Sequence, residues 1–295
     1  MNYSSYRIKK ISLKNKIFHQ VPNHAIQRGS IERHYIYSKI LKHQRILDIY
    51  LPPSYHLNPH KSYPVIYMHD GNNLFYPEIA FAGVPWNVHL TLDRLIAHHL
   101  ISECIVVGLY NSIGRNNEYT WYPMRFSHRL EGGGGHDYAH FIIQEVIPYL
   151  QSRYRIFNHP QQVGVMGSSL GGLISLYLGL YFPHIFGHIG AVSPSLWWGQ
   201  GRILKDIQGI KNHLKIWLCM GTQEGGTRRV RDNPNIYQVR RLKQALYHQG
   251  FVEGLNLAYL EDRGGHHNEW HWGQRFHLPL MFFFGRRKGL IWTAD

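Results

Sequence analysis

The ten residues VGVMGSSLGG, at positions 163–172, decide the fold that this chain is expected to adopt. An apolar run ends at Met166, a turn flanked by glycines follows, and an apolar helical pattern then covers 170–182. A strand, a tight turn and a helix in immediate succession are typical of a nucleophile elbow, which exposes a serine at the top of a sheet. Glycines two residues before and two after that serine let the flanking backbone come close together. The G-x-S-x-G register selects Ser169 and not Ser168.

Strand and helix patterns alternate along the chain on both sides of this turn. The predicted elements are a β-hairpin over 33–51, strands at 63–69, 105–110, 163–166, 189–192, 214–220 and 255–260, and helices at 86–100, 137–154, 170–182, 235–249 and 268–284. Pro148 is expected to bend the second of these helices. The alternation predicts an α/β fold with a mostly parallel central sheet, an N-terminal antiparallel hairpin and helices on both faces. Ligands bind such sheets at the carboxyl ends of the strands, so chemistry is expected in the loops that follow them.

The domain organisation follows from the same patterns. Residues 1–30 show no clear period and are interpreted as an irregular extension, and 31–295 as a single catalytic domain. Four consecutive glycines at 132–135 indicate a flexible loop before the 137–154 helix. The two cysteines, Cys104 and Cys219, lie in apolar strand-like runs and are predicted to be buried free thiols.

Composition limits the classes of partner. The 32 basic and 18 acidic residues give a net charge of +14, which attracts anions in general. The basic residues occur in short, scattered groups that are too small for a nucleic-acid footprint. The N-terminus has no apolar signal core, and no apolar run reaches the roughly 18 residues of a membrane span. We therefore expect a cytoplasmic protein with no nucleic-acid or membrane partner.

Acyl transfer by a serine needs two backbone N–H donors for the developing oxyanion. One is expected from Leu170, directly after the serine. The second usually comes from a loop after an earlier strand, and here that loop is HDGNNLF at 69–75. Gly71 allows this loop to turn, and Asn72 is predicted to supply the donor.

The last two predicted strands are each followed by a loop with a candidate acid or base. The first loop contains Glu224 and the second contains His266 and His267. In α/β-hydrolases the acid follows the serine and the histidine comes last, and both loops keep that order. Glu224 is predicted to be the acid, with Asp232 as the alternative, and His267 is favoured over His266 as the base.

A metal-dependent mechanism is the alternative to this triad. His267 and His271 are four residues apart and could share a helix face. The H-E-x-x-H zinc motif requires glutamate directly after the first histidine, where this chain has Asn268. We therefore predict neither a metal nor any other cofactor.

Several motifs together resemble those of a known family. They are DIYLPP (48–53), YMHDGNNLF (67–75), RNNEYT (115–120), GGGG (132–135), GSSLGG (167–172) and HNE (267–269). The chain resembles the putative esterase family of α/β-hydrolases over about residues 28–285, a family that includes enterochelin esterases, feruloyl esterases, S-formylglutathione hydrolase and the antigen 85 mycolyltransferases. The resemblance implies an α/β-hydrolase fold and a site made of Ser169, Glu224, His267 and the oxyanion donors Asn72 and Leu170.

The sequence thus predicts a serine esterase that cleaves a small-molecule carboxylic ester through an acyl-enzyme. An acyltransferase with the same triad is one alternative, and a non-catalytic protein that binds anionic polymers is another. Arg115, Glu118 and Tyr119 follow the 105–110 strand and are predicted to border the substrate pocket. Either Arg115 and Glu118 pair to hold this loop, or Arg115 contacts an acidic group of the substrate.

Overall fold

The computed structural model describes residues 26–225, 230 and 233–286. Its strands are β1 Ser30–Ser38, β2 His43–Leu51, β3 Val65–His69, β4 Ile105–Leu109, β5 Pro123–Phe126, β6 Arg129–Gly132, β7 Val163–Ser168, β8 His188–Val192, β9 Lys215–Gly221 and β10 Leu257–Asp262. Its helices are α1 Val88–Ala97, α2 Arg115–Glu118, α3 Gly135–His140, α4 Ile147–Gln151, α5 Leu170–Tyr181, α6 Ile203–Asp206, α7 Pro234–His248, α8 Glu269–Arg275 and α9 His277–Phe284.

Eight strands form one twisted sheet in the order β1-β2-β4-β3-β7-β8-β9-β10. The hairpin of β1 and β2 is antiparallel and joins β4 in antiparallel register, whereas β4, β3, β7, β8, β9 and β10 are parallel. The prediction of a mostly parallel sheet with an N-terminal antiparallel hairpin is confirmed. The hairpin begins at Ser30, slightly before its predicted start, and residues 1–25 of the predicted extension lie outside the described residues.

Helices cover both faces of the sheet because the parallel strands are apolar on both sides. One core cluster joins the sheet to α3, α4, α5 and α7, and the other joins it to α1 and α9. Helix α5 lies directly after β7 and is buried along its whole length except at Tyr181. This central position leaves the turn between β7 and α5 at the carboxyl edge of the sheet.

The helix predicted over 137–154 differs in its internal geometry. It begins at Gly135, continues through a π-helical segment at Phe141–Val146 and ends with α4 at Gln151. Pro148 has no N–H to donate and crowds the carbonyl one turn before it. The wider π-helical turn accommodates that proline, so the helix changes its winding at the position where a bend was predicted.

The helix predicted over 268–284 is two helices, α8 and α9, that meet at Phe276. Pro279 lies in the first turn of α9, where its missing N–H is not needed. A proline favours the start of a new helix and disfavours the continuation of an old one. Because the apolar periodicity runs through both helices, the sequence pattern does not indicate this break.

The hairpin of β5 and β6 and the short helix α2 were not predicted. The hairpin strands have four residues each and are mostly exposed, so neither shows an alternating pattern. Their support is tertiary, because the ring of Phe126 packs 5.4 Å from that of Trp198. The glycines at 132–135 do not form a separate flexible loop; they end β6 and begin α3, with positive φ at Gly132 and Gly133.

Cys104 and Cys219 are both buried and free, as predicted. Each lies in a strand or directly before one, within the core cluster that also contains α1 and α9. Among the described helices, none combines the length and the apolar composition needed to cross a lipid bilayer.

Candidate active site

The turn between β7 and α5 holds Ser169 in a strained conformation. Its φ of 58° and ψ of −122° lie in a region that non-glycine residues rarely adopt. A Cβ on Gly167 would lie 2.8 Å from the carbonyl carbon of Gly171, so the close approach across the turn requires glycine. The Ser169 N–H donates to the carbonyl of Val192 at 3.0 Å, which ties the turn to the end of β8.

Three side chains from separate loops form a continuous hydrogen-bonded line. His267 Nε2 lies 3.0 Å from Ser169 Oγ, and His267 Nδ1 lies 2.7 Å from Glu224 Oε2. The three residues come from the loops after β7, β9 and β10, whose carboxyl ends meet at one edge of the sheet. The His267 side chain is 41% exposed, whereas that of Glu224 is 1% exposed. The histidine therefore faces the solvent side and the carboxylate supports it from the interior.

The Glu224 carboxylate is held by further donors on its other oxygen. The backbone N–H of Gly221 donates to Oε1 at 2.8 Å, and the Ser193 hydroxyl donates to the same atom at 2.5 Å. Asn233 Nδ2 donates to the Glu224 carbonyl at 2.7 Å and so fixes the backbone of this loop. Asp232, the alternative acid, lies outside the described residues.

The neighbouring histidines take other positions. His266 is exposed and its ring packs 5.2 Å from that of His271. His267 and His271 do not share a helix face, because α8 begins only at Glu269 and Asn268 caps it by accepting the N–H of His271. That expectation from residue spacing is corrected. Across the described ranges, no cluster of three or more His, Cys, Asp or Glu side chains is arranged to hold a metal ion.

The loop after β3 lies beside the serine turn. Asp70 has a left-handed φ of 54°, and Gly71 to Asn73 then form one 3₁₀ turn that contains Asn72. A Cβ on Gly71 would lie 2.5 Å from the backbone of Gly108 in β4, so this position also requires glycine. Leu170 begins α5, and the first N–H groups of a helix have no acceptor within the helix.

Helix α2 supports the loop after β3 through Asp70. Arg115 donates to Asp70 Oδ1 at 2.7 Å and to Oδ2 at 2.9 Å, and the Tyr119 hydroxyl accepts the Asp70 N–H at 3.0 Å. Glu118 instead binds the buried Arg45 of β2, with both oxygens within 2.8 Å of its Nη1. Arg115 and Glu118 therefore do not pair with each other; each ties α2 to a different strand end. Direct contact of Arg115, Glu118 or Tyr119 with a substrate stays a prediction.

Burial changes the ionisation of two groups near the serine. It lowers the pKa of His69, whose Nδ1 lies 2.9 Å from the Tyr138 hydroxyl, to about 3, so this ring is neutral. Burial also raises the pKa of Glu269 above its usual value, and the nearby Asp70 carboxylate adds to the effect. Glu269 accepts a hydrogen bond from Asn73 Nδ2 at 3.3 Å, next to the loop after β3.

Comparison with known proteins identifies the family of this chain. The family model described as "Putative esterase" matches residues 38–282, which is most of the chain. The chain belongs to this esterase family. It is therefore a carboxylic-ester hydrolase with an α/β-hydrolase fold.

Three proteins similar to this esterase match it over most of both chains. The uncharacterized protein YbbA of Bacillus subtilis is 27% identical over 251 residues, which are 84% of this chain and 95% of that protein. The crystal structure of the BES protein from Bacillus cereus superposes with a TM-score of 0.70 at 21% identity, over 86% of this chain and 96% of that one. A ferulic acid esterase superposes with a TM-score of 0.68 at 20% identity, over 87% of this chain and 98% of its own.

Two residues of the candidate site were not predicted from the sequence. Ser193 and Ser195 follow β8, and their hydroxyls contact Glu224 and Ser169 respectively. The rule that placed the other candidates, a polar side chain directly after a parallel strand, also applied to the SPS segment at 193–195. Because the short strand at 189–192 is predicted from the sequence, the two serines directly after it carry the same signal as the other candidates.

Proposed function

We propose that this protein is a serine esterase in which Ser169 is the nucleophile, His267 the general base and Glu224 the residue that orients the histidine. The observation that carries the proposal is the pair of short contacts on either side of one imidazole, 3.0 Å to Ser169 Oγ and 2.7 Å to Glu224 Oε2. A serine, a histidine and a buried carboxylate in this sequence of contacts are what nucleophilic acyl transfer requires.

The proposed reaction has two halves. Ser169 Oγ attacks the ester carbonyl carbon while His267 Nε2 takes its proton, and the tetrahedral intermediate then expels the alcohol, which receives that proton. Water attacks the acyl-enzyme in the second half, and His267 accepts the proton of the water. The bond between the acyl carbon and Ser169 Oγ then breaks, the acid leaves and the proton returns to the serine.

The developing oxyanion is proposed to bind the backbone N–H groups of Leu170 and Asn72. Leu170 is at the positive end of α5, where the helix dipole favours negative charge. Asn72 lies in the 3₁₀ turn beside it, and the Asp70–Arg115 ion pair holds the start of that turn. Loss of one such donor in a serine hydrolase typically costs about 3 kcal/mol of transition-state stabilisation.

We further propose that the substrate is an ester with an aromatic acyl group. The loop after β8 continues from Ser195, whose N–H donates to the Ser169 carbonyl, to Trp197, which is 41% exposed. The ring of Phe126 on the β5–β6 hairpin lies edge-on to Trp197 at 6.5 Å and is also exposed. Such paired rings suit an aromatic ring of the substrate. The similar ferulic acid esterase is named for an aromatic acid.

The nucleophile is tested with Ser169→Ala and a fluorophosphonate probe. The wild-type protein is expected to gain one phosphonyl group on the peptide that contains Ser169 and to release a burst of p-nitrophenol from p-nitrophenyl esters. The variant is expected to keep its fold by circular dichroism and to lose both reactions, with activity reduced at least 1,000-fold, as is usual when a triad member is removed. Full activity in Ser169→Ala would overturn the proposal, and preferred transfer of the acyl group to an added alcohol over water would identify an acyltransferase.

The acyl group is tested with a matched pair of exposed phenylalanines. Phe126 and Phe157 are 36% and 41% exposed, but Phe157 donates its N–H to Tyr63, before β3, at the opposite edge of the sheet. Phe126→Ala is expected to raise the KM for aromatic acyl esters about fivefold and to leave that for p-nitrophenyl acetate unchanged, whereas Phe157→Ala changes neither. Equal effects on both esters would contradict the aromatic assignment while leaving the nucleophile intact.

A further inference from the structure

One short turn contacts both ends of the Ser169–His267–Glu224 line. This turn, residues 193–195 after β8, has the sequence Ser-Pro-Ser. Ser195 Oγ lies 3.1 Å from Ser169 Oγ, and the Ser195 N–H donates to the Ser169 carbonyl at 3.0 Å. Ser193 donates its hydroxyl proton to Glu224 Oε1 at 2.5 Å. Two serines separated by a single proline therefore contact both the proposed nucleophile and the carboxylate.

The turn is built so that both hydroxyls point inward. Ser193 is 2% exposed and Ser195 is 5% exposed, and buried hydroxyls need hydrogen-bond partners. Ser193 has a left-handed φ of 43°, which a residue with a Cβ adopts only when its surroundings hold it there. Pro194 restricts the next φ to about −65° and so stiffens the turn. The Ser193 N–H donates to the carbonyl of Cys219 in β9 at 2.8 Å, which anchors the turn to the neighbouring strand.

The direction of each hydrogen bond follows from the chemistry of its partner. An ionised carboxylate only accepts, so Ser193 donates to Glu224, and its oxygen in turn accepts the indole N–H of Trp272 at 3.0 Å. Ser169 must direct its proton at His267 Nε2 before attack, so Ser195 is the donor in the contact between the two serines. The oxygen of Ser169 is therefore located by His267 on one side and by Ser195 on the other.

We propose that the Ser193–Pro194–Ser195 turn positions both ends of the triad: Ser195 holds the Ser169 oxygen in line with His267, and Ser193 holds Glu224 beneath the same ring. This inference rests on the proposed role of Ser169 as nucleophile. Both serines are positioning residues, because neither forms a bond with the reacting atoms. The rate of acylation depends on how often Ser169 and His267 are aligned, so the turn acts on that rate and not on the affinity for the ester.

The test measures the second-order rate at which a fluorophosphonate labels Ser169, together with kcat and KM for a p-nitrophenyl ester. Ser195→Ala is expected to slow labelling and to lower kcat about five- to tenfold, the size expected for one lost hydrogen bond, with KM nearly unchanged. Ser195→Thr keeps the hydroxyl and is expected to restore labelling to within about twofold. If Ser195→Ala does not fold, Ser195→Cys takes its place. Cysteine is similar in shape to serine but is a weak donor, so labelling is expected to slow and kcat to fall to the same extent.

Ser193→Ala tests the other end of the turn. It removes a donor from Glu224 and leaves the Trp272 N–H without its acceptor, so labelling is again expected to slow about five- to tenfold. The double variant Ser193→Ala/Ser195→Ala is expected to lose less than the product of the two single effects, since both act on the same aligned pair.

The matched control is Ser38→Ala. Ser38 is fully buried and donates its hydroxyl to Glu145 at 2.6 Å, and it lies on the edge strand β1, which three strands separate from β7. This variant is expected to lower the melting temperature and to leave the labelling rate unchanged. Wild-type labelling rates in folded Ser195→Ala and Ser193→Ala would overturn the inference while the nucleophile stands. An unlabelled Ser169 in the wild-type protein would overturn both proposals.

Discussion

Arg115 binds a carboxylate of its own chain at the edge of the proposed site. Its two contacts to Asp70 hold a residue with left-handed φ at the point where the chain enters the turn with Asn72. Asn111 Nδ2 adds a third hydrogen bond to the same carboxylate at 2.7 Å. Because the guanidinium of Arg115 is already bound to Asp70, it is better placed to orient the turn proposed to bind the oxyanion than to bind an acidic substrate.

Arg115→Ala separates these two roles. If Arg115 orients the turn, kcat is expected to fall about tenfold for a neutral ester and for a carboxylate-bearing ester alike, because transition-state binding is lost in both. If it contacts an acidic substrate group, KM rises for the carboxylate-bearing ester alone. Steady-state kinetics with the two esters decides between them, and Arg115→Lys is expected to recover only part of kcat, since lysine cannot form the bidentate contact.

Single residues also carry the strain of the site. Ser169, Asp70 and Ser193 all have positive φ without being glycine, and they belong to the turns after β7, β3 and β8. Such conformations cost about 1–3 kcal/mol each and persist only where the surroundings hold them. All three lie at the carboxyl edge of the sheet, beside the proposed site.

At the scale of elements, α2 depends on a buried ion pair that reaches across to β2. Arg45 and Glu118 are 3% and 5% exposed, and the guanidinium also donates to the carbonyl of Tyr110 at 2.6 Å. Burial lowers the pKa of Arg45, but the contacts with Tyr138 and Glu118 outweigh it, so the net shift is upward. The arginine is therefore charged at every physiological pH, and its partner cannot be removed without leaving a buried charge.

Glu118→Gln is expected to destabilise the protein by about 3 kcal/mol, because it leaves the Arg45 guanidinium buried and uncompensated. Glu261→Gln is the matched control, since Arg240 holds Glu261 through two contacts of 2.7 Å but with the arginine side chain 51% exposed. An exposed pair of this kind contributes about 1 kcal/mol or less. Denaturant midpoints measured on both variants check the difference, and equal losses would contradict it.

Across the whole molecule, the buried histidines make stability depend on pH. His188 begins β8 and its ring stacks on that of Phe283 at 5.1 Å. Burial, with a smaller contribution from Lys215, lowers the pKa of His188 to about 4. The unfolded side chain binds a proton near pH 6.5. Between those values the unfolded chain holds more protons than the folded one, so stability is retained above pH 6.5 and falls as the pH falls toward 4.

His188→Phe is expected to remove part of this dependence. Through His188, the wild-type protein is expected to lose about 2 kcal/mol of its free energy of unfolding between pH 7 and pH 4.5. The variant is expected to lose about 2 kcal/mol less than the wild type over the same range. Urea titrations at pH 7, 6, 5 and 4.5 measure the effect. The control is His60→Phe at an exposed position, which is expected to leave the slope of stability against pH unchanged. The same slope in His188→Phe and in the wild type would contradict this assignment.

Several features were predictable because they depend on residues close together in the chain. Short local patterns predict the elbow at 163–172 and the alternation of strands and helices. They also predict the order of acid and base after the serine. Hydrophobic periodicity reports which segments are buried, and that is enough to predict a parallel sheet. The same patterns could not reveal the break at Phe276 or the β5–β6 hairpin, since apolar residues continue through the first and packing against Trp198 supports the second.

The sequence by itself determined the fold class, the register of Ser169 and a short set of candidates at the strand ends. The tertiary structure decided which of these candidates meet: Ser169 and His267 are 98 residues apart in the chain, and Glu224 and His267 are 43 apart. It also decided that Arg115 binds Asp70, that Glu118 binds Arg45 and that the turn at 193–195 contacts both Ser169 and Glu224. The physical reason is that local sequence sets dihedral preferences and burial, whereas contacts between distant loops are set by the order and register in which the strands pair.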